Sequence, residues 1–182
     1  PLGYLNIGPL AVTFNVIPVA VCAIVLGPTG GAIAGAVFGL TSFLQAMGIG
    51  GTSALGAALF QINPFLSAVQ CFVPRILDGL LIGFIYRGMR KKTNVYASCA
   101  VTGFFSAFLN TLFFMTALVV MFELIQNLMG GRNVIIGCCM MVGVNAISEM
   151  VSSTIITAAV GTALSKAHLI PASQIAKPDT AA

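Results

Sequence analysis

Residues Asn63 to Lys92 read NPFLSAVQCFVPRILDGLLIGFIYRGMRKK. A polar Asn-Pro opens the run, about two dozen mostly apolar residues follow, and a basic cluster closes it, which is the pattern of a helix crossing a membrane. Pro74, Arg75 and Asp78 interrupt the apolar part. At about 1.5 Å per residue, Arg75 lies roughly 18 Å from Asn63, near the centre of a hydrocarbon layer about 30 Å thick. A charge at that depth must face protein or a water-filled cavity.

Two readings of Arg75 compete. Asp78 stands three residues on, on the same helix face, and can neutralise the guanidinium without any ligand. Alternatively, the planar fork of arginine suits a carboxylate, and Pro74 bends the helix where a ligand needs room.

Outward from this stretch, the composition agrees. Of 182 residues, 58% are hydrophobic and 7% charged, and the mean hydropathy is +1.04. So few charges cannot cover a water-soluble domain, and the long unbroken apolar runs favour helices over a membrane barrel. The net charge of +4 does not indicate nucleic acid, because Arg87, Arg90, Lys91 and Lys92 sit together in one short connection and read as a topology signal. Cys22, Cys71, Cys99, Cys138 and Cys139 all fall in apolar segments without Cys-x-x-Cys spacing, as small buried hydrophobes do. Residue 1 is proline, and no charged-then-apolar leader precedes it, so the natural beginning is expected upstream.

The expected architecture is an all-α membrane bundle with five visible spans. Residues 1–9 read as a loop, residues 10–26 as the first span with Asn15 near its start, and Gly27-Pro28-Thr29 as a turn. The second span, 30–45, follows the turn; Gly27, Gly31, Gly35 and Gly39 recur at intervals of four. Small residues so spaced make a groove on one helix face, either for packing inside the bundle or for docking another membrane subunit at Gly31, Gly35 and Gly39. Residues 46–62 read as a loop folded over one membrane face. The run Gly48 to Gly56 has neither the Lys-Ser/Thr ending nor the preceding strand of a phosphate loop. Later spans are expected at 95–122, containing Asn110, and at 134–165, containing Asn145 and Glu149, joined by a connection at 123–133. Residues 1–165 thus form the bundle and 166–182 a cytoplasmic tail.

With the Arg87–Lys92 turn in the cytoplasm, the positive-inside rule leaves only Arg132 on the outer side. Counted inward from each outer end, Asn15 lies about five residues deep, Asn145 about eleven, Arg75 and Asn110 about twelve, and Asp78 and Glu149 about fifteen. Amides and charges from four spans therefore approach one level, beneath outward segments carrying Tyr4, Asn6, Gln45, Gln61 and Asn63. This is the outline of a small-molecule pocket.

Catalysis fits poorly. The only histidine, His168, lies beyond the last span on the opposite side, so no serine or cysteine nucleophile has a positioned base. A hydrolase working through Asp78 and Glu149 is formally open, but Arg75 beside Asp78 opposes the shared proton such chemistry needs. A ligand-free membrane scaffold is the remaining alternative. No Walker motif is present, so ATP hydrolysis by that route falls to other chains.

The succession NIGPLAVTF, LGPTGGAIAGAVFGLTSFLQ and INPFLSAVQCFVPRILDGLLIG resembles the substrate-binding S components of energy-coupling factor (ECF) vitamin transporters, over nearly the whole chain. The resemblance implies a six-helix bundle that binds one vitamin near the outer face. It also implies association with a transmembrane coupling subunit and two cytoplasmic ATPases, with ATP and Mg in those partners and no cofactor in this chain. The family's first helix, with its Ala-x-x-x-Ala motif, would precede Pro1. Gly-Leu-Thr-Ser-Phe-Leu and Val-Pro-Arg look most like the pantothenate type. In that case Arg75 is expected to take the vitamin's carboxylate, and Asn110, Asn145 and Asn63 its amide and hydroxyls, with Asn15 and Glu149 nearby. For a hydroxymethylpyrimidine or pyridoxine ligand, Glu149 would instead meet a ring nitrogen or amine while Arg75 stayed with Asp78.

Overall fold

The computed structural model describes residues 4–7, 10–13, 15–49, 56–57, 60–61, 63–129 and 132–170, with the side chains of 4–13, 118–119 and 121–145 outside the description. Two short strands come first. β1 (Tyr4–Ile7) pairs antiparallel with β2 (Leu10–Thr13), Tyr4 opposite Thr13 and Ile7 opposite Leu10. Four helices follow: α1 (Val16–Ala46), α2 (Pro64–Arg90), α3 (Val95–Met129) and α4 (Arg132–Lys166). Among the described residues, four helices are long and apolar enough to cross a membrane.

Three expectations change. Within residues 1–9, read as a loop, Tyr4–Ile7 forms a strand; residues 10–13, read as the start of a span, form its partner, and the helix begins only at Val16. The Gly8-Pro9 step between Ile7 and Leu10 favours a turn, and β-branched Val12 and Thr13 suit an extended chain. Conversely, residues 123–129, read as a connection, continue α3 to Met129. The isolated polar residues Glu123, Gln126 and Asn127 do not break a helix. Most of 46–62 lies outside the described residues.

Gly27 divides α1. Its φ of 79° and ψ of −164° are non-helical, a conformation glycine tolerates because it has no Cβ. Pro28 then restarts a helix whose first turn needs no amide from it. The two arms run in opposite senses along α2. In the first, Val16 accepts a hydrogen bond from the Ser106 hydroxyl at 3.4 Å, and Ile24 joins Tyr86 and Cys99 in a buried cluster near the basic end. In the second, Pro28 meets Gly83, Gly31 meets Gly79, Gly35 meets the Arg75 carbonyl and Gly39 the Cys71 carbonyl. Each step of four along this arm is a step of four backwards along α2, so the backbones lie against one another through absent side chains.

The bundle is apolar outside and polar within. On α4, Ala146, Glu149, Ser153, Thr157 and Gly161 face inward while Ile147, Val151 and Ile155 face out. Ile33 of α1 is 68% exposed and Ile155 is 63% exposed, as side chains bathed in lipid would be. Buried polar groups include Gln70, Asp78, Thr102, Ser106, Asn110, Glu149 and Ser153. At the basic end, α4 closes with His168 at φ 56° and a bond from the Leu169 amide to the Leu164 carbonyl at 3.0 Å. This left-handed ending turns Ile170 back onto Ile24, Tyr86 and Cys99.

Candidate functional site in the bundle core

Asn63 starts α2 by accepting hydrogen bonds from the amides of Phe65 and Leu66 at 3.0 and 3.3 Å, with Pro64 in the first helical turn. Asn-Pro is thus a capping signature. The Asn63 side-chain oxygen, expected to meet a ligand, is engaged by its own helix.

Eleven residues on, Pro74 lacks an amide and leaves the Gln70 carbonyl without its helical partner. The Arg75 guanidinium takes that place, donating from Nη1 to the carbonyls of Gln70 at 3.1 Å and Cys71 at 3.0 Å. Arginine on a helix leans toward the N-terminus, and here it leans toward Asn63 and away from Asp78. Its Cζ lies 4.8 Å from the centroid of Phe38 on α1 and 5.6 Å from that of Phe114 on α3. Two ring faces attract the cation in a partly dry setting.

The register between helices places the other candidates. Gln70 Nε2 donates to the Phe114 carbonyl at 2.8 Å, and Asp78 lies beside Ser106. Asn110 is midway between Ser106 and Phe114, as Pro74 is midway between Gln70 and Asp78, so Asn110 stands level with Pro74 and Arg75. Between α3 and α4, Cys99 meets Gly161, and Gly103 meets Thr157 and the Ser153 carbonyl. Two turns further along this antiparallel pair, Asn110 reaches the level of Glu149. Both are buried, at 9% and 4% exposure. Arg75, Asn110 and Glu149 therefore share one level on the inward faces of three helices.

Not every expected residue joins them. Asn15 lines a largely apolar groove of about 750 Å³ between the two arms of α1, with Pro18, Cys22, Ile33, Phe38 and Gln45. Phe38 borders both this groove and Arg75. The side chain of Asn145 lies outside the described residues; its backbone is on α4, one turn before Glu149. The glycine ladder expected as a docking face at Gly31, Gly35 and Gly39 is filled by α2 of the same chain. Its four-residue spacing records packing inside the bundle.

Gln70, Phe38 and Phe114 were not singled out from sequence. A signal existed for Gln70, which is the residue four before Pro74 whose carbonyl must lose its amide. For Phe38 and Phe114 there was none, since phenylalanine at helical spacing is ordinary in a membrane bundle.

This assembly of one cation, two acids, amides and hydroxyls enclosed by apolar helices is suited to holding a small polar molecule, with no nucleophile–base pair among the described side chains. Residues 2–161 match the family model described as ECF transporter, substrate-specific component. Over 173 residues, the chain is 31% identical to a protein of Leuconostoc mesenteroides subsp. mesenteroides named pantothenate transporter PanT, covering 90% of this chain and 81% of that one. It is 28% identical over 177 residues to pantothenic acid transporter PanT of Lactococcus lactis subsp. cremoris, covering 90% and 84%. A match across nearly the whole length, on a polar-cored bundle of membrane helices, makes this chain a member of the ECF transporter substrate-specific component family, a multi-pass protein of the bacterial cell membrane.

Proposed function

We propose that the chain captures pantothenate at the outer face of the membrane and presents it for ATP-driven import. The observation that carries this reading is the common level of Arg75, Asn110 and Glu149 in the bundle core. Pantothenate offers a carboxylate for the guanidinium, and an amide and hydroxyls for amide side chains such as Asn110 and Asn145. The two relatives whose names specify that vitamin support the choice of ligand. Arg75, held between Phe38 and Phe114, is pre-positioned for a carboxylate, which lowers the cost of ordering it on binding.

In this reading the arms of α1 on either side of Gly27 count as two crossings and the described chain as five. Energy comes from partners: a transmembrane coupling subunit and two cytoplasmic ATPases that hold ATP and Mg. The bundle of residues 1–165 binds ligand, and residues 166–182 belong to the cytoplasmic side.

Calorimetric titration of the detergent-purified protein tests the reading, together with mass spectrometry of whatever small molecule co-purifies. Saturable pantothenate binding is expected, weakened about 30-fold or more in Arg75→Ala through loss of a charge-assisted pair. Equal affinity in the variant rejects Arg75 as the anchor. A co-purifying pyrimidine or pyridine with no affinity for pantothenate rejects the vitamin.

A further inference from the structure

We propose, building on the pantothenate reading, that Gln70 is a further ligand-binding residue, whose side-chain oxygen accepts the amide N–H of the vitamin and makes the site selective for an amide there. Gln70 is 1% exposed and lies on α2 against α3, where its Nε2 donates to the Phe114 carbonyl at 2.8 Å. A carbonyl only accepts, so the NH2 end of the side chain is fixed on Phe114 and the oxygen end is left over. That oxygen, Oε1, has no hydrogen-bond partner among the described residues. A buried acceptor without a donor is destabilising, and native proteins keep few of them without a use.

Donors on the neighbouring turns are committed elsewhere. Arg75 Nη1 donates to the carbonyls of Gln70 and Cys71, the Ser67 hydroxyl lies against Cys71, and the Thr116 hydroxyl donates to the Leu112 carbonyl at 2.8 Å. The place is also one to which a bound anion brings a donor. Arg75 leans back toward the turn that carries Gln70, and its Cζ lies 5.6 Å from the centroid of the Phe114 ring. The guanidinium and the Gln70 amide therefore both border Phe114. A molecule whose carboxylate pairs with Arg75 has its next polar group within reach of Gln70. In pantothenate that group is the amide nitrogen, two methylenes from the carboxylate, with the hydroxyls beyond the amide carbonyl. An amide N–H donates and does not accept, which is the complement of Oε1. Asn110, whose Oδ1 also has no partner among the described residues, stands one turn from Phe114 on α3 and serves the groups further along the ligand.

The test is calorimetric titration of the detergent-purified full chain, wild type and Gln70→Met, with two ligands: pantothenate, and its ester analogue, in which oxygen replaces the amide nitrogen and no N–H remains. Methionine keeps the length of the side chain, and the Phe114 carbonyl it abandons sits inside α3, where the helix supplies an amide. The wild type is expected to bind pantothenate about tenfold more tightly than the ester, the worth of one well-placed hydrogen bond. Gln70→Met is expected to bind pantothenate about tenfold more weakly than the wild type does, and to bind the two ligands within about threefold of each other. A variant that merely loosened the bundle would weaken both ligands alike and keep the preference. A preference that persists in Gln70→Met therefore overturns the assignment to Gln70. Equal affinity of the wild type for both ligands overturns recognition of the N–H, and saturable pantothenate binding in either case leaves the function standing. Failure of the wild type to bind pantothenate at all removes the functional reading and this inference together. Should Gln70→Met not fold, the two ligands on the wild type decide: equal affinities overturn the inference and the tenfold preference supports it.

Discussion

The Arg75 guanidinium lies 3.1 Å from the Gln70 carbonyl, the acceptor that Pro74 strips of its helical amide. A side chain that the sequence offers as an ion-pair partner or a ligand anchor therefore also repairs the backbone at a proline. The two roles separate in a double-mutant cycle. Arg75→Ala should lower stability by about 1–3 kcal/mol, the cost of an unsatisfied buried acceptor. In a Pro74→Ala background, where residue 74 supplies the amide, that cost should fall by about 1 kcal/mol, read from thermal or denaturant unfolding in detergent. Equal costs in both backgrounds would show that the carbonyl contact contributes nothing.

The seam between α1 and α2 tolerates no added carbon. An ideal Cβ on Gly35 overlaps the Arg75 carbonyl, so Gly35→Ala should destabilise by about 1–3 kcal/mol and weaken ligand binding by shifting Arg75. Gly88, on the same helix as Arg75 but with nothing near its missing Cβ, serves as the control. Gly88→Ala should be neutral or stabilising by up to about 1 kcal/mol.

Reversal at Gly27 requires a positive φ of 79°. Gly27→Ala should cost about 1–3 kcal/mol of backbone strain, seen as a lower unfolding midpoint. Substitution at Gly30 probes a different effect, since its space is limited by Leu26 and Cys22 and its backbone is helical.

Asn63 tests capping against ligand binding. Asn63→Ala should cost about 1 kcal/mol of stability and change pantothenate affinity by less than about twofold, well under 1.4 kcal/mol. Asn63→Ser should recover most of the stability. A large loss of affinity with little loss of stability would return Asn63 to the binding site.

Much of this is legible in the sequence. Asn-Pro at one end and four basic residues at the other delimit α2 to within two residues, because hydrocarbon imposes a length and water imposes polar ends. Counting residues along straight helices put Arg75 and Asn110 at one depth, with Glu149 and Asp78 about three residues deeper in the same band. Rotation and side-chain direction did not follow: Arg75 leans toward Gln70 instead of Asp78, and Asn15 faces the α1 groove, for reasons that lie in neighbouring helices. The strand at Leu10–Thr13 was hidden because a continuous apolar run fits a buried strand as well as a helix.

The β1–β2 pair carries a consequence for wetting. Among the described residues each strand bonds only its neighbour, so the two outer edges hold amides and carbonyls that acyl chains cannot satisfy. β2 packs beside α4, and the remaining edge must meet solvent or protein. The flank of α4 against this ribbon is thus turned away from the oily phase.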